Sequence, residues 1–281
     1  MTSHDASHDA RHDAAARASD RTVTIASGSV AVDVSPDDGG RLVQITIDGV
    51  ALLAGPAEGP APRNALSWGC YPMVPWAGRI RDGRFRFRGR VVDLPRTLGP
   101  HAIHGVGFTS PWELAARADD AVELRLALPR DARWPFGGTA RHRIGVAAGA
   151  VHLELSVQAA DRAFPASLGW HPWFRKPEAV EFHPTAMYRR DAAGITVDEL
   201  VAVPDGPWDD CFVNDRPVRL TIGGVTVELS SPCTDWVVFD QRAHATCVEP
   251  QTAPPDAPNL RPHVLEPGAE LTATFDIRPV R

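Results

Sequence analysis

With 281 residues, 43% of them hydrophobic and 23% charged, the chain is long enough to bury a substantial core and has the balance of an ordinary globular domain. Its formal net charge of −6 offers no general attraction for nucleic acid or an anionic membrane surface. No apolar run reaches the roughly 18–20 residues of a membrane span, and the polar N-terminus lacks an apolar signal core, so a cytoplasmic protein is expected. Cys70, Cys211, Cys233 and Cys247 are scattered without a CxxC pair and read as reduced, buried thiols. Lys176 is the sole lysine, so arginine carries nearly all the positive charge and its presence at any one place says little about function.

Residues 1–21 repeat a His-Asp-Ala unit at His4, His8 and His12. A period of four would set these imidazoles on one helical face as a weak metal site. Nothing apolar anchors the segment, so a disordered leader over 1–21 followed by one domain over 22–281 is expected. From Thr22 onward the period is two. "TVTIASGSVAVDV", "RLVQITIDGVALL", "RFRFRGRVVDL", "VELRLAL", "VHLELSV", "LTIGGVTVELS" and "LTATFDI" follow one another, bounded by Gly, Asp and Asn. Such alternation predicts half-buried antiparallel strands, and Gly223-Gly224 suits a two-residue hairpin turn. No stretch after residue 21 holds a period of 3.6 over three turns. The expected fold is all-β, one large antiparallel β-sandwich. Prolines cluster in "GPAEGPAPRN", "LPRTLGPHAIHG" and "EPQTAPPDAPN", which predicts rims and loops rather than central strands.

Titratable residues concentrate in four stretches that read as irregular: "YPMVPWAGRIRDGRF" with Arg79, "HAIHGVGFTSPW" with His101 and His104, "LGWHPWF" with His171, and "CVEPQTAPPDAPN" with Glu249. In the last, Glu249 ends an apparent strand and Pro250 stops it. Each residue alone has a structural reading: a surface ion pair for Arg79, a turn for His104, a satisfied core histidine for His171, a strand edge for Glu249. The His101/His104 HxxH spacing lacks the helical HExxH context and a nearby third ligand.

As a set, "YPMVPWAGRI…GRF", "HAIHGVGFTSPW", "LGWHPWF", "WDDCF" and "VEPQTAPPDAPN…LEPG" resemble the ordered motifs of the aldose 1-epimerase (galactose mutarotase) family, over roughly residues 64–268. The resemblance implies a galactose mutarotase-like supersandwich and interconversion of the α and β anomers of a hexose, with no metal or organic cofactor. It implies Glu249 as general base, His171 as general acid, His104 as a second substrate-binding histidine, and Arg79 and Asp209 as ligands of sugar hydroxyls. Two departures stand out. Gly78 occupies a position where many members carry Asn, and Asp210 one where many carry His, which leaves Asp209 and Asp210 both open as the sugar ligand. The expected partner is a small-molecule sugar, not nucleic acid or membrane, bound by a monomer or homodimer.

Anomerisation needs one proton removed from the C1 hydroxyl and one delivered to the ring oxygen, which an acid and a base on opposite sides would accomplish. Trp173, Trp76 or Trp170 could stack on a sugar face, with one or two of the eight tryptophans expected in the pocket. Three alternatives remain: a hexose-6-phosphate mutarotase with Arg81, Arg84 or Arg175 at the rim, a non-catalytic carbohydrate-binding sandwich, and a metal-dependent enzyme using His101, His104, His171 and Glu249.

Overall fold

The computed structural model describes residues 22–58 and 64–280, so the leader with its histidine repeat lies outside the described residues. The period-two segments form two large antiparallel sheets. One has 8 strands, ordered Glu113–Arg117, Ala121–Ala127, Thr139–Ala147, Ala150–Gln158, Glu270–Pro279, Val225–Ser230, Val218–Ile222 and Ala179–Glu181. The other has 11, and its middle runs Arg41–Ile47, Cys70–Met73, Gly169–Arg175, Ala245–Gln251, Asp235–Phe239, Asp209–Val213 and Ala186–Arg190. Between them lies one apolar core, with Ile25, Val32, Leu42, Trp170, Phe174 and Val248 from the larger sheet against Leu124, Ile144, Leu155 and Phe275 from the smaller. Each such side chain contributes about 1.5–3 kcal/mol by leaving water, which is why the alternation specifies the face so firmly.

Local chemistry closes the turns as expected at Gly223 and Gly224, whose φ values of 57° and 78° lie where a Cβ is disfavoured; they join Val218–Ile222 to Val225–Ser230. Ala257–Leu260 is the single α-helical turn among the described residues. No helix among them is long and apolar enough to cross a membrane.

Two expectations about the strands are corrected. "LGWHPWF" is not irregular: Gly169–Arg175 is a central strand of the larger sheet. Nor does Pro250 stop its strand, which continues to Gln251 with Pro250 facing Trp236. The physical reason is a gap in the ladder between these two neighbours. Their register pairs Gly169 with Gln251 and Trp173 with Cys247, and no pair is recorded between. Pro172 and Pro250 sit inside that gap, where a missing N–H forfeits no ladder bond.

Candidate active site

Alternation along Gly169–Arg175 sends Trp170 and Phe174 into the core and His171 and Trp173 to the opposite, outer face. On the neighbouring strand, Val248 points inward while Cys247, Glu249 and Gln251 share the outer face with His171. The register that pairs 169 with 251 and 173 with 247 sets 171 opposite 249. His171 Nε2 consequently lies 3.2 Å from Glu249 Oε1, both nearly inaccessible to solvent. The proline-broken gap in the ladder is the place where these two side chains meet.

A cavity of about 450 Å³ opens over this pair, within the roughly 300–1,000 Å³ typical of small-molecule sites. His171, Glu249, His104, Arg79 and Asp209 all line it, together with Tyr71, Trp173, Arg190, Asp210 and Gln251. His104 arrives from a tight loop. It has φ 58°, followed by Gly105 at 75°, whose backbone packs so closely that a Cβ would stand 2.0 Å from the Val74 carbonyl oxygen. That approach brings the His104 ring edge-on to His171, centroids 5.0 Å apart at 89°. At the far wall, Arg190 binds both aspartates, Nη1 to Asp209 at 2.9 Å and Nε to Asp210 at 3.1 Å. Arg79 reaches Asp209 at 3.4 Å. Asp209 shares its strand face with Cys211, which also lines the cavity, and it alone of the two aspartates contacts Arg79. Gly78 has φ 70° and a Cβ there would lie 2.6 Å from Pro255 Cβ, so Pro255 packs where a side chain at position 78 would stand.

Burial dominates the electrostatics. Desolvation, reinforced by Asp209, pushes the Glu249 carboxyl well above its usual range, with Arg79 opposing. Desolvation pulls His171 down to about 3 and His104 well below an ordinary histidine. Burial therefore disfavours the charged form of both groups, so an ion pair here is costly. Three buried polar atoms around the cavity have no partner: Nδ1 of His104, Nδ1 of His171 and Oε1 of Gln251. Such orphans are rare in protein interiors, and all three are closed to solvent, so a ligand would reach them only after the side chain turns.

Several sequence expectations fall outside this cluster. His101 accepts the Asp82 N–H at Nδ1 and does not line the cavity. Among the described residues, the donor set that could hold a metal is instead His171, Cys247 and Glu249, whose ligand atoms lie within 4.8 Å of one another. Burial raises the Cys247 thiol well above its usual range, which disfavours the thiolate that metal binding requires. Trp76 packs on Trp134 and Trp170 donates to His142 Nε2 in the core, which leaves Trp173 as the tryptophan at the cavity. Tyr71, Arg190 and Gln251 were not anticipated from sequence. Gln251 carried a usable signal, since it lies two residues beyond Glu249 and so on the same face of a strand.

Comparison with known proteins agrees with this architecture. The family model described as aldose 1-epimerase matches residues 21–278. The uncharacterised protein YphB of Escherichia coli K12 is 31% identical over 153 residues, covering 54% of this chain and 51% of YphB, so the match spans about half of that relative's length. The uncharacterised YihR of the same organism is 26% identical over 276 residues, 86% of this chain and 87% of YihR. The solved GalM/aldose epimerase homologue from C. elegans superposes with a TM-score of 0.79 at 15% identity, covering 93% of this chain and 99% of that one, a likeness of fold. A chain matched by the family model over nearly its whole length, with the galactose mutarotase-like fold that the model entails, belongs to the aldose 1-epimerase family.

Proposed function

We propose that the protein is a cofactor-independent mutarotase that interconverts the α and β anomers of an aldose by opening and closing the sugar ring. The observation that carries this reading is the buried His171–Glu249 contact of 3.2 Å on the floor of the cavity. The C1 hydroxyl and the ring oxygen are bonded to the same carbon, so an acid and a base this close can reach both. Glu249 takes the proton of the C1 hydroxyl, His171 delivers one to the ring oxygen, and the C1–O5 bond breaks to give the open aldehyde. Rotation about C1–C2 and the reverse transfers close the ring on the other face.

For these roles Glu249 must be ionised and His171 protonated, against the desolvation of both. Sugar hydroxyls donating to the carboxylate favour its ionised form; Arg79 also favours an ionised Glu249 while its charge opposes protonation of His171. His104 and Gln251, which line the cavity beside the pair, hold neighbouring sugar oxygens. Arg79 and Asp209 hold hydroxyls at the far wall, with Arg190 keeping Asp209 in place. The proposed substrate is a free sugar, although Arg242 lines the cavity over Phe239 and pairs with no carboxylate among the described residues. Of the arginines first considered for a phosphate, Arg81 is taken by Asp191 and Asp256, Arg84 by Asp93 and Arg175 by Glu58, and none lines the cavity.

Polarimetry on glucose, galactose and glucose 6-phosphate tests the reading. We expect faster equilibration of a free aldose, and a loss of about 100- to 10,000-fold in kcat for Glu249→Gln and for His171→Gln. Full activity in Glu249→Gln would overturn the mechanism, and a marked preference for the phosphate ester would overturn the substrate class.

A further inference from the structure

We infer that Tyr71 and Trp173 are positioning residues that clamp the His171 imidazole between them, fixed by one backbone oxygen, the carbonyl of Leu66; the catalytic consequence rests on the mutarotase reading above. Five rings stand in a row across the outer face of the sheet. Phe108 packs on Tyr71 at 5.2 Å between centroids, Tyr71 on His171 at 4.8 Å and 28°, His171 on Trp173 at 5.4 Å and 13°, and Trp173 on His244 at 6.2 Å and 8°. Both faces of Trp173 are thus covered, by His171 and His244. With 6% of its surface exposed where it lines the cavity, Trp173 has little ring face left for a sugar.

The rings on either side of His171 are tied to the same atom. Tyr71 Oη donates to the Leu66 carbonyl at 3.2 Å, and Trp173 Nε1 donates to it at 2.8 Å. Leu66 belongs to a turn held in turn by the buried Arg41, which donates to the carbonyls of Ala65 and Trp68 and lies 4.0 Å over the Trp68 ring. His171 itself has no hydrogen bond at Nδ1 to fix its ring. Its Nε2 meets Glu249 at one point, and the stack restrains the ring rotation that a single contact leaves free. A proton donor must be held to a fraction of an ångström, and misplacement by about 1 Å can cost roughly 100-fold in rate.

Tyr71→Phe and Trp173→Phe keep an aromatic ring while removing one bond each to Leu66. With the free aldose as substrate we expect kcat to fall about tenfold in each and more in the double variant, with KM changed less than twofold. A purely structural role would instead lower thermal stability and leave kcat per folded molecule intact. The ring of His171, assigned by its disappearance in His171→Gln, supplies a readout independent of turnover. Its imidazole ¹⁵N and ring-proton resonances should broaden or split in the double variant. Unchanged kcat together with an unchanged His171 spectrum would overturn the clamp, even where Glu249→Gln is inactive. If the wild-type protein proved inactive on every aldose, the mutarotase reading would fail and the spectrum would still decide the clamp.

Discussion

The two faces of the Gly169–Arg175 strand place a buried histidine on each side, with opposite outcomes. On the inner side Trp170 meets His142, whose Nδ1 bonds the Gly40 carbonyl at 3.1 Å and whose Nε2 accepts the Trp170 indole N–H at 3.1 Å. On the outer side His171 bonds Glu249 through Nε2 and leaves Nδ1 unpartnered. Burial lowers both, His142 to about 4 and His171 to about 3. A depressed histidine therefore does not by itself mark a catalyst. What separates the two is satisfaction: the core histidine has partners for both nitrogens, while the outer one sits among unpartnered atoms, beside a buried carboxyl, at the floor of a cavity.

The sharpest way to break this comparison is to damage each side in turn. His171→Gln should lose about 100- to 10,000-fold in kcat by polarimetry with little change in melting temperature. Trp170→Phe strips the donor from His142 Nε2 and should lower unfolding stability by about 1–3 kcal/mol while leaving kcat per folded molecule unchanged. If Trp170→Phe depressed kcat as strongly as His171→Gln, the two faces would not be functionally separate.

A smaller effect is expected at the far wall. Without Arg190, Asp209 and Asp210 repel each other and only Arg79 remains, 3.4 Å from Asp209. Arg190→Gln should raise KM roughly tenfold, about 1.4 kcal/mol of binding, with a lesser change in kcat. An unaltered KM would remove this wall from the sugar site.

The smallest effect concerns stability and pH. Because the folded carboxyl of Glu249 is raised above its unfolded value of about 4.3, the folded chain binds more protons above that pH, and stability declines as pH rises toward the raised value. Glu249→Gln lacks this decline. Its stability relative to wild type should therefore be smallest near pH 4 and grow toward pH 8, by about 1 kcal/mol or a few degrees in Tm. The advantage shrinking with rising pH would mean that Glu249 ionises normally. His171 acts with the opposite sign: its lowered value means that stability falls as pH drops from about 6.5 toward 3.

Much of the fold was legible because alternation has one physical reading. A strand such as Ala150–Gln158, whose Val151, Leu153, Leu155 and Val157 are all buried, can only sit on a core in one orientation. The turn at Gly223-Gly224 was legible because two adjacent glycines suit two adjacent positive φ values. The strand containing His171 was not, since two of its seven residues are a glycine and a proline and every residue but the last is buried, which erases the period. The prolines misdirected the reading there and at Pro250, because their tolerance depends on a ladder gap that only the neighbouring strand creates.

The site divides in the same way. His171, Glu249, His104, Arg79 and Asp209 were identifiable by residue type and motif before any pairing was known. Sequence determined which groups with acid, base and hydrogen-bonding chemistry the chain carries, and that alternating strands would present them on a sheet. Only the tertiary structure decided that residues 171 and 249 face each other, that Arg190 rather than Arg81, Arg84 or Arg175 serves the cavity, and that Trp173 is sandwiched rather than free. Side-chain type and period are local properties, whereas strand register, burial and the resulting pKa shifts arise from segments as many as 178 residues apart coming into contact.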